Sequence, residues 1–113
     1  MGKSSQRKGR AAEMELVKIL RDNGFNVRPG EAVSYGTEPD IVGLPGIHVE
    51  VKRHEALRIG EWTQQAEADA EKFHDGLPVV FFRRSREPWR VTMSFADFMR
   101  IYQRAIMGGF EHK

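Results

Sequence analysis

Six residues constrain this chain more than any others: Ile47-His48-Val49-Glu50-Val51-Lys52. Apolar and polar side chains alternate through them, the period of a strand with one buried face. Ile47, Val49 and Val51 share one face, and His48, Glu50 and Lys52 share the other. A carboxylate and an ammonium side by side on a strand can be a surface ion pair. Pro39-Asp40, followed by the short apolar run Ile41-Val42, opens a second reading. Leu44-Pro45-Gly46 is a turn signal, so Asp40–Gly43 and Ile47–Arg53 are expected to form a hairpin. Asp40 and Glu50 then lie across from each other on one face, where they can share a divalent cation with Lys52 beside it.

The remaining elements follow from periodicity and breakers. A helix is expected from about Arg10 to Asn23, stopped by Gly24. Leu16, Val17 and Leu20 gather on one stripe of it. Glu13 precedes them by three, four and seven positions and falls on that stripe, whereas Glu15 turns outward. A carboxylate on a core-facing stripe is costly unless its charge is compensated, although the first turn of a helix also favours an acid. Phe25–Arg28 reads as a short strand broken by Pro29-Gly30. Residues 30–39 form a long loop, a common place for function. Glu61–His74 is a helix with Trp62, Ala66, Ala70 and Phe73 on its buried stripe, Gln65 on the border and Gln64 facing away. Asp75-Gly76 ends it. Pro78–Phe82 is a continuous apolar run, typical of a strand covered on both faces. Residues 84–88 form a charged turn, and Trp89–Met93 alternates as a last strand. Ser94 with Asp97 makes a capping-box-like start. Phe95, Phe98, Met99, Tyr102 and Ile106 line one face of a final helix, expected to be core, before Gly108-Gly109. The order α-β-β-β-α-β-β-α predicts an α/β fold with a central mixed sheet flanked by helices.

Composition narrows the function classes. At 113 residues the chain is one domain, expected as a flexible basic segment over residues 1–9 and a single globular unit over residues 10–113. It has no cysteine, so disulfides and thiolate metal sites are excluded. No apolar run reaches membrane-spanning length, and no glycine-rich loop of the P-loop type suggests ATP use. The net charge is only +2, but the basic residues cluster. Lys3, Arg7, Lys8 and Arg10 precede the first acid, and Arg83, Arg84, Arg86 and Arg90 surround Glu87. Twelve of the eighteen basic residues are Arg, the side chain best matched to phosphate. The clusters fit a polyanion footprint or solvated loops. Tyr35, in the long loop, can stack on a base or be a plain loop aromatic. His48 borders the Glu50 face, either at the site or as a bystander imidazole. No histidine pair has zinc-hydrolase spacing.

Together, Asp40, Glu50, Glu13 and Lys52 outline a phosphodiester-hydrolysis site. Mg²⁺ and Mn²⁺ prefer oxygen ligands and take one or two carboxylates, leaving other positions to water and phosphate. A cation relieves carboxylate repulsion, and Lys52 can orient water or stabilise the transition state.

Arg7-Lys8-Gly9, Ala12-Glu13-Met14-Glu15-Leu16, Gly24-Phe25, Pro39-Asp40-Ile41-Val42 and Val49-Glu50-Val51-Lys52 resemble the archaeal-type Holliday junction resolvases. These belong to the PD-(D/E)xK superfamily, which includes restriction and phage recombination nucleases. The resemblance spans residues 7–53. Trp62 with Gln65-Ala66 and Pro88–Val91 are similar, less specifically, to small phage or bacterial resolvase-like nucleases. It implies a restriction-endonuclease-like core and Mg²⁺- or Mn²⁺-dependent cleavage of branched or duplex DNA in recombination or repair. It also implies a homodimer, and a bacterial, archaeal or phage-infected cytoplasm. By resemblance, Asp40, Glu50 and the Val51 carbonyl bind metal, Lys52 is the catalytic lysine and Glu13 the first-helix acid. Arg7, Lys8 and Ser34 are implied as DNA contacts, to which the charge clusters add Arg10, Arg83 and Arg84. Gln65 is implied near the site. Arg53-His54-Glu55 and the final helix depart from the resolvase pattern. A non-catalytic nucleic-acid-binding module and a restriction-like duplex endonuclease remain rivals.

Overall fold

The computed structural model describes residues 2–31 and 38–110, with side chains from residue 9 onward. Its elements are α1 (Gly2–Asp22), β1 (Arg28–Pro29), β2 (Ile41–Val42), β3 (Ile47–Arg53), α2 (Ile59–Phe73), β4 (Leu77–Arg83), β5 (Arg90–Thr92) and α3 (Phe95–Met107). The strands form one mixed sheet in the order β1-β2-β3-β4-β5. β3 and β4 run parallel, joined by α2, and all other neighbours are antiparallel. The expected element order and α/β class therefore hold.

The alternation along β3 divides the core in two. Val49 packs with Leu16 and Val17 of α1 and with Val27 and Ile41, bordered by Ile47, Val51 and Phe81. On the opposite face, Trp62 and Ala66 of α2 pack on Val80 and Phe82 of β4. Helices thus cover both faces of the central β3–β4 pair. The turn between α2 and β4 is pressed against the turn before β3. A Cβ at Gly76 would lie 2.6 Å from backbone atoms of Gly46, and Leu77 N–H donates to the Gly46 carbonyl at 2.9 Å. Only glycine permits this approach, and its φ of 137° suits no other residue.

Three expectations need correction. α1 begins at Gly2 rather than Arg10, so from residue 2 the basic segment lies on the first turns of this helix. The first strand is Arg28–Pro29, not Phe25–Arg28. It is an edge strand, where a proline lacking N–H leaves no ladder bond broken. The apolar face of α3 is not core. None of its residues is buried, and Phe95 is 79% exposed, Phe98 49% and Tyr102 41%. Asp97 and Arg100 border an open hollow of about 460 Å³ against Leu77 and Pro78. Amphipathicity identifies a helix with an apolar stripe, but not what the stripe faces.

Candidate active site

The site is built where β2 and β3 part. Ile41 pairs with Val49, so one step outward sets Asp40 opposite Glu50. Val51 N–H donates to Asp40 Oδ2 at 2.7 Å. In a strand a residue's N–H and C=O point to the same side, which turns the Val51 carbonyl toward Asp40 as well. Lys52 follows on the Glu50 face, and its Nζ donates to Gln65 Oε1 of α2 at 3.2 Å.

The loop that delivers Asp40 is pinned at its base. Gly30 N–H donates to the Asp40 carbonyl at 2.8 Å. Arg28 grips Glu38 through two nitrogens at 2.8 and 3.2 Å, and Glu38 also accepts from Glu31 N–H. These bonds hold the Glu38 carboxyl down at about 2. A Cβ at Gly30 would meet the Pro39 carbonyl at 2.0 Å, so glycine is required there. Ser34 and Tyr35 lie outside the described residues.

Electrostatics mark the acids as strained by one another. Burial, then the charge of Glu50, pushes Asp40 up to about 6, despite the Val51 N–H and the positive charge of Lys52. Burial, then Asp40, pushes Glu13 up to about 7, against the opposing pull of Arg10. Arg10 Nη1 reaches Glu13 Oε1 at 3.5 Å. Acids that are partly buried near each other and reluctant to ionise suit a hard cation. The donors, carboxylate and carbonyl oxygens, are those Mg²⁺ and Mn²⁺ prefer. Glu15 faces away and pairs with Arg83 at 3.2 Å.

His48 is wholly buried. Its Nε2 bonds Glu50 Oε2 at 2.8 Å, and its Nδ1 bonds Asp75 at 2.8 and 2.9 Å. Burial disfavours the charged imidazole, but the hydrogen bonds to Glu50 and Asp75 outweigh it and raise its pKa above the ordinary 6.5. Ligand atoms of His48, Glu50 and Asp69 also lie within 4.8 Å of one another. Both imidazole nitrogens already face carboxylates, so His48 has no lone pair turned toward an ion in this arrangement.

The expected DNA contacts fare unevenly. Arg7 and Lys8 lie on the first turns of α1, with side chains outside the described ones. Arg83 is tied to Glu15 and to the Glu87 carbonyl. Arg84 pairs with Glu87 at 2.9 Å. Arg83 nevertheless lines a cleft of about 320 Å³ with Ala11, Ala12, Glu15 and Arg53. Asp75 is visible in the sequence only as a helix stop. Its bond to His48 depends on a chain reversal 27 residues away, for which local periodicity carries no signal.

Comparison with known proteins agrees with this geometry. The family model described as "Phage putative PDDEXK endonuclease" matches residues 4–106. No curated protein matches the chain. Among solved structures, Hjc of Archaeoglobus fulgidus, a Holliday junction resolvase from an archaeal hyperthermophile, is similar at 26% identity and a TM-score of 0.55, over 74% of this chain and 70% of that one. The mixed five-stranded sheet with flanking helices is thus the restriction-endonuclease-like fold.

Proposed function

Because this chain belongs to the phage PDDEXK endonuclease family, we propose that it hydrolyses phosphodiester bonds of branched DNA with Mg²⁺ or Mn²⁺. The observation that carries the reading is the opposition of Asp40 and Glu50 where β2 and β3 part, with Lys52 on the same face as Glu50. Asp40, Glu50 and the Val51 carbonyl would hold the cation, with Glu13 as an additional carboxylate. A bound cation supplies an acidified water and neutralises charge on the phosphoryl group. Lys52, steadied by Gln65, stabilises negative charge developing on the phosphoryl oxygens. Arg10, the helical segment bearing Arg7 and Lys8, and the cleft with Arg53 and Arg83 hold the backbone, contacts that position DNA without reading sequence. Selectivity for branches is supported by the likeness to a resolvase.

The same reading takes the active unit as a homodimer, supported by α3. At roughly 200 Å² for a fully exposed large apolar side chain, Phe95, Phe98, Ile101 and Tyr102, on one side of α3, leave about 400 Å² open. That is the size of the largest apolar patch on a monomer, which is often an interaction site. Among the described residues no helix is long and apolar enough to cross a membrane, so a membrane-spanning role for α3 is set aside.

The test is cleavage of a labelled four-way junction, a flap, a linear duplex and a single strand, each with Mg²⁺, Mn²⁺ or EDTA. Metal-dependent cutting of the junction ahead of the duplex is expected. Equal cutting of junction and duplex would favour the restriction-like alternative. No cleavage under any metal would leave a DNA-binding module.

A further inference from the structure

We infer that His48 and Asp75 form a clamp that fixes the Glu50 carboxylate for metal binding, making His48 a positioning residue of the active site. The inference rests on the reading of Glu50 as a metal ligand.

The geometry has three parts. First, the clamp is continuous: Asp75 to His48 Nδ1 at 2.8 Å, then His48 Nε2 to Glu50 Oε2 at 2.8 Å. His48 is fully buried, and Glu50 is 7% exposed. Only one Glu50 oxygen is engaged by the imidazole, which leaves Oε1 for a cation. Second, the far end is anchored in backbone. Asp75 sits between His74, whose φ of 54° closes α2, and Gly76. Gly76 is locked against Gly46 and Ile47 at the start of β3. The anchor and the strand carrying Glu50 therefore move as one body. Third, the imidazole has no rotational freedom. The Phe73 ring lies 5.7 Å from it, tilted by 47°, and carboxylates hold both nitrogens.

A glutamate has three rotatable bonds, and fixing it costs side-chain entropy. The clamp makes that ordering part of folding rather than of cation binding. Partners that orient a ligand in this way typically contribute 10–100-fold to metal affinity.

Two substitutions at one position separate positioning from packing. Glutamine sets an amide N–H near the place of His48 Nε2 and preserves the bond to Glu50. Asparagine sets its amide near that of Nδ1 and loses that bond. Mn²⁺ binding to the full chain, followed by electron paramagnetic resonance, is the readout, with thermal melts to verify folding. His48→Gln, which keeps the bond to Glu50 but loses that to Asp75, and Asp75→Ala are expected to weaken Mn²⁺ binding by no more than about 10-fold, while His48→Asn weakens it by about 10- to 100-fold. Folded His48→Asn with parental affinity, or equal weakening by both His48 variants, would overturn the clamp. If Glu50→Gln leaves Mn²⁺ affinity unchanged, the metal-site reading itself fails, and the clamp with it.

Discussion

Replacing Asp40 by asparagine should stabilise the metal-free protein while removing a metal ligand. In the folded chain burial and Glu50 raise the Asp40 pKa from 3.8 to about 6. A raised carboxylate pKa means that the folded state holds the proton more tightly than the unfolded state. The resulting stability is fully present below pH ~4 and is lost as pH rises through about 6. At pH 8 the carboxylate is ionised in both states, and two pKa units at 1.36 kcal/mol each set an upper bound of about 3 kcal/mol of destabilisation. Solvent at the open rim of the site reduces this, so about 1–3 kcal/mol is expected. The substituted amide keeps an oxygen to accept from Val51 N–H. In EDTA at pH 8, Asp40→Asn should therefore melt about 4–12 °C above the parent, at roughly 4 °C per kcal/mol for a domain of this size.

Two controls fix the cause. The difference should shrink toward zero at pH 4, where the parent's Asp40 is protonated. It should also shrink or reverse in Mn²⁺, since a cation at 100 times its Kd stabilises only the binding-competent parent by about 2.7 kcal/mol. Scanning calorimetry across pH, with and without Mn²⁺, reads all three. A variant that melts at or below the parent at pH 8 in EDTA would refute the account of repelled, buried acids at the end of the hairpin.

Other expectations concern catalysis and assembly. Lys52→Ala should reduce single-turnover cleavage by at least 10²-fold, the order seen on removing a transition-state charge partner, while DNA affinity by fluorescence anisotropy stays within a few-fold. Glu13→Gln should lose most cleavage. Glu15→Gln, which loosens only an exposed pair with Arg83, should keep it and cost no more than about 1 kcal/mol; the reverse ranking would show that the acid on α1 has been misassigned. The double variant Phe98→Glu, Tyr102→Glu should sediment as a monomer at concentrations where the parent is a dimer, with its melting temperature little changed at low concentration because neither side chain is buried. A monomeric parent at high micromolar concentration would remove the role given to α3.

Legibility in the sequence follows the range of the interaction. β3 is readable to the residue because period-two alternation writes both faces into consecutive positions, and its pairing with β2 needs only the Leu44-Pro45-Gly46 turn. The α1 stripe distinguishes Glu13 from Glu15 for the same reason, and the structure turns Glu15 outward to Arg83. β1 escapes a sequence reading because Pro29 looks like a breaker unless the strand is known to be an edge. The Asp75–His48 bond is invisible there because it joins the end of α2 to β3, through a crossover that brings β4 beside β3. For α3, hydrophobic spacing is the same whether the stripe meets its own sheet or something outside the domain. Only the exposure of Phe95 and Phe98 decides between them.

The arrangement also explains why the strained acids sit where they do. Asp40 and Glu13 each resist ionisation, so bringing them together opposes folding in the absence of a cation. The opposition is concentrated at the end of β2, a strand of two residues, where backbone pairing is least able to resist it. Each acid is accordingly held from a sturdier element: Glu13 by α1, whose Leu16 and Val17 are buried; Asp40 by the pinned Gly30 and Arg28–Glu38 base; and Glu50 through His48 by the turn locked at Gly76. Loosening the exposed Arg28–Glu38 base lets Asp40 turn to solvent, which relieves the repulsion and raises metal-free stability at neutral pH. The same change lowers metal affinity, because the cation must then gather ligands that folding no longer holds in place. Stability in EDTA and affinity for Mn²⁺ should therefore move in opposite directions across variants of the Arg28–Glu38 base, whereas packing defects at Leu16 or Val17 lower both.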